Sequence, residues 1–453
     1  MGLILLVLLV GLETAFLILT LKRERVKTVI RKRRLFFRLA ETGVLMIAVL
    51  LPFGQKWRLF PVFTFLLGLS VFALIIFLIK RNSVGGLKKT SGIIVSYVLC
   101  IFSFVFLLIP AFLFTGYKGL PVSGKYHIGE TSAILIDDSR IDPYSQDGSR
   151  REVPVHFYYP LTDDNHKEEY PLVLFSHGAF GYYQSNTSTY MELASNGYVV
   201  ASLDHPHQAF FTKDSRGKTV IVDNNFLNTA LTLDSVTDPE EQYNLYVQWM
   251  DLRTGDMNFV LDEVKKACEA GKSGTSWVVS GRDTEQIQAV LEITDISRIG
   301  LMGHSMGGAT AVELGRQRSD ISAVIDIDGT MLGEYTGFEN QELLIRDEAY
   351  TVPILEFNNW ESYLELKEHI RQGGSYPNEV LISGASEGFT TTIRGTKHMD
   401  FTDLPLLSPI LGKMLGSGER STQETMSIVN KTVLTFFNCY LKGDGVFSVQ
   451  ESY

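Results

Sequence analysis

The first 117 residues consist of long apolar stretches separated by short basic segments. Four stretches share this apolar character: 3–21, 39–53, 59–79 and 92–114. The first, third and fourth are long enough to cross about 30 Å of hydrocarbon as helices. The second is shorter, and we expect Arg38 or Lys56 beside it to extend towards the head-group region. The pattern therefore predicts an all-α transmembrane region of about four helices, with the lipid bilayer as its partner.

Residues 118–453 show a different pattern, in which short apolar runs alternate with amphipathic stretches. The runs that predict strands are 133–136, 153–159, 171–175, 198–203, 299–302, 321–327 and 352–357. The stretches that predict helices are 246–268, 309–314 and 424–441. Continuous apolar runs are typical of strands buried on both faces of a parallel sheet. We therefore expect two domains: a transmembrane region over 1–117, and an α/β domain over 118–453 with a mostly parallel central sheet and helices on both faces.

Charge divides the chain at the same place. Residues 1–117 hold 15 Lys and Arg against 3 Asp and Glu, whereas residues 118–453 hold 26 against 48. The acidic second domain argues against nucleic acid as a partner. The basic residues of the first domain cluster around 22–34, where we expect them to set the topology and to contact anionic lipid head groups.

The distribution of basic residues between the apolar stretches predicts an orientation. The connections after the first and third stretches are rich in Lys and Arg, whereas the connection after the second holds only Lys56 and Arg58. Because positive loops stay in the cytoplasm, we expect an integral protein of the cell membrane whose second domain lies outside the cytoplasm. If the stretch 39–53 does not cross, that orientation is reversed. Glu13 lies within the first stretch, and we interpret it as a contact between helices.

The segment Gly303–Gly308 has the sequence of a nucleophile elbow, G-x-S-x-G. The apolar run 299–302 precedes it and the predicted helix from Ala309 follows it, which is the strand–turn–helix context that this turn requires. Gly303 and Gly307 provide room for the sharp turn. The pattern predicts that the hydroxyl of Ser305 stands clear of the sheet as a nucleophile, and with it the α/β-hydrolase fold.

A catalytic triad on this fold follows the chain order serine, acid, histidine. Asp326 and Asp328 both come at the end of the strand 321–327, and we favour Asp328 because it lies at the strand end beside Gly329. His398 follows the last strands in a loop, where the general base of this fold belongs. We expect neither a cofactor nor a metal in such a site.

The loop 176–181 follows the buried strand 171–175, where this fold places its second oxyanion donor. We expect the backbone N–H groups of Ala179 and Met306 to bind the oxygen that becomes negative in the reaction. His177 is expected to shape this hole rather than to act as a base. His205 and His207 follow the next strand, and their surroundings favour a pocket wall over a metal site.

Three separated motifs resemble the plasma-type platelet-activating factor acetylhydrolases: Phe175–Gly178, Gly303–Thr310 and Thr392–His398. The resemblance covers about 150–405. It implies a calcium-independent serine esterase that releases short or oxidised acyl groups from phospholipids, with Ser305, Asp328 and His398 as the triad and Ala179 and Met306 as the oxyanion donors.

The sequence also departs from that family. Gly329 and Thr330 follow the acid where the plasma enzymes carry an aromatic residue, and Ala179 replaces a larger residue. The apolar region 1–117 is foreign to the soluble members of the family. These differences bear on the shape of the pocket, and therefore on the acyl groups that it accepts.

Together these patterns predict a membrane-anchored serine esterase that acts on carboxylic esters, in particular on phospholipids. A general carboxylesterase or lipase of the same fold is the first alternative, and a peptidase of the same fold is another. A non-enzymatic membrane sensor or scaffold built on an inactive hydrolase domain is the alternative from a different class.

Overall fold

A computed structural model describes the chain in two compact units. The described residues are 2–22, 25–50, 56–80, 82–83, 86–114, 117, 119–162, 168–274, 277–279 and 283–453, with only the backbone of Lys56 and Asp234. The end of the predicted stretch 39–53, and Arg23 and Arg81 of the basic connections, lie outside this range. One unit comprises Met1–Lys118 and Pro405–Met414, and the other comprises Gly119–Leu404 and Leu415–Tyr453.

The first unit consists mainly of helices in its described part, with one isolated β-bridge between Val26 and Leu87. Its helices within the first 117 residues are α1 (Gly2–Lys22), α2 (Lys27–Leu50), α3 (Phe60–Ile79), α4 (Thr90–Leu107) and α5 (Ile109–Leu113), with a 3-10 turn at Lys56–Leu59 before α3. Three segments of the described residues are long and apolar enough to cross a membrane: Gly2–Lys22, Trp57–Ile79 and Thr90–Leu107. These correspond to the first, third and fourth predicted stretches.

The second helix differs from its prediction. It begins at Lys27 rather than near Leu39, so the basic run that was expected to form a connection is helical. Lys, Arg and Leu are good helix formers, and the run contains no Gly or Pro to stop a helix. The charges that it carries exclude α2 from the segments that are apolar enough to span a membrane. Three apolar spans are thus found among the described residues, and the fourth stays a prediction.

The sequence predicts that Arg38 or Lys56 extends towards the head-group region, but Arg38 points into the helical unit instead. Its side chain is buried and donates hydrogen bonds to the carboxylates of Glu13 and Glu41. Arg34 donates to both oxygens of Glu13 at 2.8 Å. Glu13 is thus a contact between α1 and α2, and the charged half of α2 is partly neutralised inside the bundle.

The second unit is built on strands and helices that alternate along the chain. The strands are β1 (His127–Ile141), β2 (Arg150–Leu161), β3 (Tyr170–Ser176), β4 (Val199–Leu203), β5 (Phe211–Lys213), β6 (Thr219–Ile221), β7 (Trp277–Val278), β8 (Thr294–His304), β9 (Ala323–Ile327), β10 (Tyr335–Glu339), β11 (Glu342–Ile345), β12 (Ile354–Asn359) and β13 (Gly388–Ile393). The helices from residue 119 onward are α6 (Thr187–Ser195), α7 (Asn224–Leu231), α8 (Pro239–Ala270), α9 (Asp283–Glu292), α10 (Met306–Gln317), α11 (Trp360–Arg371), α12 (Pro377–Gly384), α13 (Leu404–Leu407), α14 (Pro409–Met414) and α15 (Thr422–Lys442). Of these, residues 405–414 group with the first unit, where the Ser408 hydroxyl donates to the carbonyl of Leu113 at 2.6 Å.

Nine strands of the described residues form one sheet, in the order β13-β12-β9-β8-β3-β4-β2-β1-β7. The strands from β13 to β4 are parallel, whereas β2, β1 and β7 pair antiparallel at one edge. Strands β3, β4 and β9 are buried along their whole length, as their continuous apolar runs predicted. The expected α/β class with a mostly parallel sheet is confirmed.

Two apolar clusters cover the two faces of this sheet. One contains the buried side chains of α8, α9 and α10, and the other contains those of α6 and α15. Helix α8 is longer than its predicted range 246–268. It begins at Pro239, where the carboxylate of Asp238 accepts the N–H of Glu240 at 3.1 Å, and it ends before Gly271. Because the strands from β13 to β4 are parallel, their carboxyl ends and the loops that follow them lie at the same edge of the sheet.

Candidate functional site

Ser305 occupies a strained turn between β8 and α10. Its backbone angles are φ 56° and ψ −128°, which is a conformation that L side chains rarely adopt. The N–H of Ser305 donates to the carbonyl of Ile327 on β9 at 2.8 Å, and the carbonyl of Ser305 accepts the N–H of Gly308 at 2.8 Å. These bonds hold the turn, and the strain places the serine at the tip of a nucleophile elbow.

Small residues on both sides make this turn possible. A Cβ atom at Gly303 would lie 2.1 Å from the carbonyl oxygen of Gly307. A Cβ atom at Gly307 would lie 2.0 Å from the carbonyl oxygen of Ser176 at the end of β3. Neither neighbour can move away, because both are backbone atoms. The close approach therefore requires glycine at both positions.

Asp328 and His398 lie side by side at the carboxyl edge of the sheet. The Nδ1–H of His398 donates to Oδ2 of Asp328 at 2.6 Å. The carboxylate of Asp328 is buried and also accepts the backbone N–H of Asn359 at 2.6 Å and its side-chain amide at 2.9 and 3.0 Å. Ser305, Asp328 and His398 line one cavity of about 430 Å³. The structure thus brings together the three residues that the chain order singled out.

The hydrogen bond between Asp328 and His398 favours the charged form of each side chain. Burial opposes ionisation of Asp328, but the hydrogen bonds from His398 and Asn359 outweigh it and hold the pKa of Asp328 below its ordinary value. Desolvation likewise opposes protonation of His398, although its side chain is 44 % exposed. The hydrogen bond to Asp328 and the charge of that carboxylate prevail and raise the pKa of His398. The site therefore favours an imidazolium next to a carboxylate.

Asp326, the other candidate for the acid, points elsewhere. Its side chain is fully buried, and one carboxyl oxygen accepts the N–H of Gly329 at 3.1 Å. Burial, together with the charges of Glu356 and Asp328, raises the pKa of Asp326 well above its ordinary value. The carboxyl of Asp326 is enclosed within the sheet, and the structure places Asp328 rather than Asp326 beside His398.

The two expected oxyanion donors lie at the start of α10 and in the loop after β3. Met306 is the first residue of α10, where helix geometry leaves the backbone N–H without an intrahelical acceptor. Among the described residues, neither the N–H of Met306 nor that of Ala179 has a hydrogen-bond acceptor. Both residues belong to one apolar cluster with Phe226 and Trp249. Two free N–H donors in apolar surroundings are suited to binding a developing negative charge.

A second Ser–His–Asp arrangement lies beneath this loop, and the sequence did not reveal it. The Ser176 hydroxyl donates to Nε2 of His205 at 2.8 Å, and the Nδ1–H of His205 donates to Asp256 at 3.0 Å. All three side chains are fully buried, so this arrangement has no access to a substrate. Arg151, also buried, donates to both oxygens of Asp256 at 3.1 and 2.7 Å. The role of this buried Ser–His–Asp arrangement is therefore structural.

Arg253, three residues before Asp256 on α8, supports the loop 176–181. The Arg253 guanidinium donates to the carbonyl of His177 and to the side chain of Gln208, both at 2.6 Å. The backbone N–H of His205 donates to Nε2 of His177 at 3.2 Å. Burial, then the charges of Arg253 and His205, keep the pKa of His177 well below its ordinary value. His177 is thus a neutral part of the scaffold of this loop, and its ring has no contact with His398.

Arg253 and Asp256 could have been noticed in the sequence. They interrupt the apolar spacing of α8 three residues apart, on the face that also carries Met257 and Val260. Charged residues on a buried helix face signal an internal ion pair. His207, by contrast, stacks on Tyr144 with ring centroids 4.7 Å apart. Within the described residues, no group of three or more His, Cys, Asp or Glu side chains is placed to hold a metal ion.

The cavity beside Ser305 has a polar wall that the sequence did not predict. Glu365 and His369 of α11 line it, together with Asn358, Tyr376 and Asn378. Thr330 also lines the cavity, and its hydroxyl is hydrogen-bonded to that of Tyr376 at 2.6 Å. This side of the cavity therefore carries hydroxyl, amide and carboxyl groups.

A family-wide sequence profile described as platelet-activating factor acetylhydrolase, isoform II, matches residues 144–449. The chain belongs to this family. The resemblance that three short motifs suggested is therefore confirmed over two thirds of the chain.

Individual relatives agree with this assignment. The chain is 23 % identical over 288 residues to a platelet-activating factor acetylhydrolase of Gallus gallus, covering 60 % of this chain and 63 % of the relative. It is 25 % identical over 287 residues to that of Bos taurus, covering 60 % and 58 %. A probable 1-alkyl-2-acetylglycerophosphocholine esterase of Arthroderma benhamiae is 25 % identical over 254 residues, covering 54 % and 52 %. The chain thus spans about three fifths or less of the length of these relatives.

A solved structure supports the fold. A ferulic acid esterase from Streptomyces cinnamoneus superposes with a TM-score of 0.51 at 23 % sequence identity, covering 72 % of this chain and 93 % of the other. At this identity the likeness is one of fold. The solved structure thus agrees with the α/β architecture of the second unit.

Proposed function

We propose that this member of the acetylhydrolase family is a membrane-anchored serine esterase that hydrolyses carboxylic esters, in particular the short or oxidised acyl chains of phospholipids. The observation that carries the proposal is the Asp328–His398 hydrogen bond at the mouth of the cavity that Ser305 lines. The strained backbone of Ser305 supports it further, since such strain is commonly kept at functional sites.

The proposed reaction begins with His398. Asp328 accepts the Nδ1–H, so the imidazole presents Nε2 as the basic atom. The Ser305 hydroxyl loses its proton to Nε2 while its oxygen attacks the ester carbonyl, and the carbonyl oxygen takes up the negative charge. The N–H groups of Ala179 and Met306 bind this oxyanion, a contribution of about 3 kcal/mol for each donor in comparable enzymes.

The tetrahedral intermediate then collapses. The bond from carbonyl carbon to the alcohol oxygen breaks, and the leaving alcohol takes the proton from the imidazolium. Ser305 retains the acyl group as an ester. A water molecule gives its proton to His398 and attacks this acyl-enzyme, and the acid is released as Ser305 regains its proton. Asp328 stabilises the imidazolium in both halves of the reaction.

The substrate class is supported by the names of the relatives. Two are acetylhydrolases of platelet-activating factor, and a third is a probable esterase of 1-alkyl-2-acetylglycerophosphocholine. A general carboxylesterase is the second candidate, and the polar wall formed by Glu365, His369 and Tyr376 favours it, because a site for an apolar acyl chain does not need these groups.

The membrane anchorage is supported by the three apolar helices α1, α3 and α4. We further propose that α2 crosses as well, since its buried Arg38 is paired with Glu13 and Glu41 inside the bundle and need not face lipid. Four crossings, with the basic connections in the cytoplasm, place residues beyond 119 outside it. Anchorage would keep the ester-binding cavity in the neighbourhood of lipid.

The proposal is tested with the full chain purified in detergent. Ser305→Ala should lower the turnover of p-nitrophenyl acetate by about 10⁴-fold or more, because the nucleophile is lost. Equal turnover by the wild type and the variant would remove Ser305 from the mechanism. Labelling by a fluorophosphonate separates an enzyme from a scaffold, since only an activated serine reacts.

A series of substrates separates the two candidate functions. Phosphatidylcholines with acetyl, butyryl and palmitoyl groups are compared with p-nitrophenyl esters of the same acids. Turnover of the acetyl phospholipid that exceeds that of the palmitoyl one supports the acetylhydrolase proposal. A flat profile on simple esters, with no phospholipid turnover, favours the general carboxylesterase. Turnover of the matched anilides would instead indicate a peptidase.

A further inference from the structure

The helical unit contains a cavity that the proposed esterase reaction does not use. It has a volume of about 420 Å³, within the range of about 300–1,000 Å³ typical of small-molecule sites. It lies in the gap between α3 and α4. Helix α3 packs on α2, and α4 packs on α1, whereas α3 and α4 scarcely touch each other. We call this space the α3–α4 cavity.

The walls of the α3–α4 cavity combine an apolar part with four cations. Leu69, Phe72 and Ile76 of α3 line one side, and Leu99 of α4 lines the other. The cationic residues that line it are Arg31, Arg34 and Arg38 of α2 and Lys88 before α4. Within the described residues, no carboxylate lines it. The space is therefore suited to a molecule with an apolar tail and an anionic head.

Only two of these cations are neutralised by the bundle. Glu13 accepts hydrogen bonds from Arg34 and Arg38, and Glu41 accepts one from Arg38. Both carboxylates are fully buried behind the cavity wall. Two carboxylates therefore balance two guanidinium groups, and the charges of Arg31 and Lys88 remain.

The remaining two cations have no anionic partner in the described part of the chain. Arg31 donates to the carbonyl of Lys80 at 2.6 Å and to the hydroxyl of Ser83 at 3.1 Å, which are both neutral. The ammonium of Lys88 has no hydrogen bond or ion pair among the described residues. Burial, and then the charge of Arg34, lower the pKa of Lys88. Partly buried positive charge beside an apolar cavity is costly unless an anion shares the site.

We propose that the α3–α4 cavity binds one anionic glycerophospholipid. Its phosphate lies among Arg31, Arg34 and Lys88, and one acyl chain lies along the gap between α3 and α4. Guanidinium and ammonium groups from separate elements can each take a different phosphate oxygen. The choline of a zwitterionic lipid would add a further cation to a site that already has an excess of them. This proposal rests on the proposed membrane anchorage and goes beyond it, because it concerns a specific site rather than the diffuse attraction of basic segments to head groups.

The test uses the full chain in dodecyl maltoside. Dioleoyl phosphatidylglycerol and dioleoyl phosphatidylcholine are titrated separately, and the thermal unfolding midpoint and the lipid adducts seen by native mass spectrometry are recorded. A lipid that binds the folded state raises the midpoint. We expect phosphatidylglycerol to raise the midpoint and to form a one-to-one adduct at concentrations at least tenfold lower than phosphatidylcholine.

Two pairs of substitutions locate the site. Arg31→Gln with Lys88→Gln removes the two unbalanced cations of the cavity. Lys32→Gln with Lys89→Gln removes the same charge from neighbouring exposed positions that do not line it. We expect the cavity variant to lose the preference for phosphatidylglycerol at least tenfold, and the control variant to keep it. Turnover of p-nitrophenyl acetate checks that each variant is folded.

An independent variant fills the apolar part without changing charge. Ala73 lines the cavity, and Ala73→Phe is expected to abolish the one-to-one adduct while the basic residues stay in place. Equal responses to the two lipids, or equal loss in the cavity and control variants, would overturn the proposal. Protection by inorganic phosphate or by oleate as strong as that by phosphatidylglycerol would also overturn it, in favour of a simple anion site or a fatty-acid site.

Membrane fractionation separates this proposal from the one on which it rests. Release of the chain from membranes washed with alkaline carbonate would contradict the anchorage and the lipid site together. Retention in the membrane with no discrimination between the two lipids would contradict the lipid site alone. In either case the ester hydrolysis by Ser305 is judged separately.

Discussion

At the scale of single residues, the proposed chemistry depends on the pairing of Asp328 with His398. Asp328 accepts three hydrogen bonds from two donor groups of Asn359 besides that of the imidazole, and its backbone φ of 59° is unusual for a residue other than glycine. Asn359 is therefore a positioning residue, since its backbone and side chain both hold the carboxylate. The tight set of bonds fixes which tautomer His398 adopts.

Asp328→Asn is expected to lower kcat for p-nitrophenyl acetate by about 10⁴-fold, because an amide can hold the wrong imidazole tautomer. Asp326→Asn is the matched control on the same strand. Its buried carboxyl is nearly isosteric with the amide and has no bond to His398, so kcat should stay within about threefold of the wild type. Steady-state kinetics of both variants check this. A larger loss of kcat in Asp326→Asn than in Asp328→Asn would show that Asp326, and not Asp328, is the acid.

The pH dependence of the proposed reaction follows from the raised pKa of His398. The general base must be neutral, so kcat/KM for an ester without ionisable groups should fall as the pH drops through that pKa. Because Asp328 raises the pKa, the midpoint should lie above about 6.5, the ordinary value for histidine.

Removing the carboxylate tests the sign of this effect. In Asp328→Asn the imidazolium loses its partner, and the midpoint of the residual activity should move to lower pH. His304, whose ring centroid lies 4.6 Å from that of His398, does not compete as a base, since burial and the charge of His398 lower the pKa of His304 to about 3. A midpoint that stays unchanged in Asp328→Asn would contradict the assigned pairing.

At the scale of secondary-structure elements, helix α8 connects the core to the oxyanion loop. Its buried residues Arg253 and Asp256 bond to the loop that carries His177 and to the buried His205. The hydrogen bonds from Arg151 and His205 keep the pKa of Asp256 below its ordinary value, against the effect of burial. A helix that was predicted from its apolar spacing thus also carries the polar support of the site.

Asp256→Ala is expected to destabilise the protein by about 3 kcal/mol, because buried Arg151 loses the carboxylate that accepts two of its hydrogen bonds and retains Asp142 as an ion-pair partner. Asp262→Ala on the same helix is the control. Its carboxylate is 42 % exposed and pairs with Arg318, so the loss should be at most about 1 kcal/mol. Denaturant unfolding followed by tryptophan fluorescence compares the two. Similar losses for both variants would show that the buried network contributes little.

At the scale of the whole molecule, the proposed number of membrane crossings decides on which side of the membrane the second unit lies. Among the residues that the structure describes, three helices are long and apolar enough to span a membrane, and the basic residues of α2 keep it out of this group. Arg34 and Arg38 are nevertheless paired inside the bundle, which lowers the cost of burying that helix in a bilayer. The proposed external position depends on this fourth crossing.

Labelling of single cysteines tests the orientation. Val446 is 94 % exposed in the esterase domain, and Asn82 lies in the connection between α3 and α4. With the native cysteines replaced by serine, Val446→Cys should react with a membrane-impermeant maleimide in intact cells, and Asn82→Cys only after permeabilisation. The reverse pattern at both positions would place the domain in the cytoplasm and remove α2 from the set of crossing helices.

Much of this protein could be deduced from local sequence. Continuous apolar runs predict strands such as β3 and β9 because both faces of a parallel sheet are buried, and the glycines around Ser305 reveal a turn that only small residues allow. The chain order of Ser305, Asp328 and His398 then singled out the residues that line one cavity. These inferences succeed because the apolar pattern of a strand and the glycines of a turn are set by neighbouring residues, and because the order of the three residues is visible along the chain.

Other features were decided only by the folded chain. The sequence offered both Asp326 and Asp328 as the acid. Asp326 lies within β9 and is buried, whereas Asp328 lies in the turn after the strand, where its backbone φ of 59° accompanies a side chain that bonds to His398. Ser176, His205 and Asp256 lie far apart in sequence and meet only through the packing of α8 on the sheet. The sequence predicts a loop for the basic run of α2, because positive charge is normally solvated. The ion pair between Arg38 of this run and Glu13 forms only when α1 packs beside α2. Contacts between distant segments depend on tertiary packing, which local pattern does not encode.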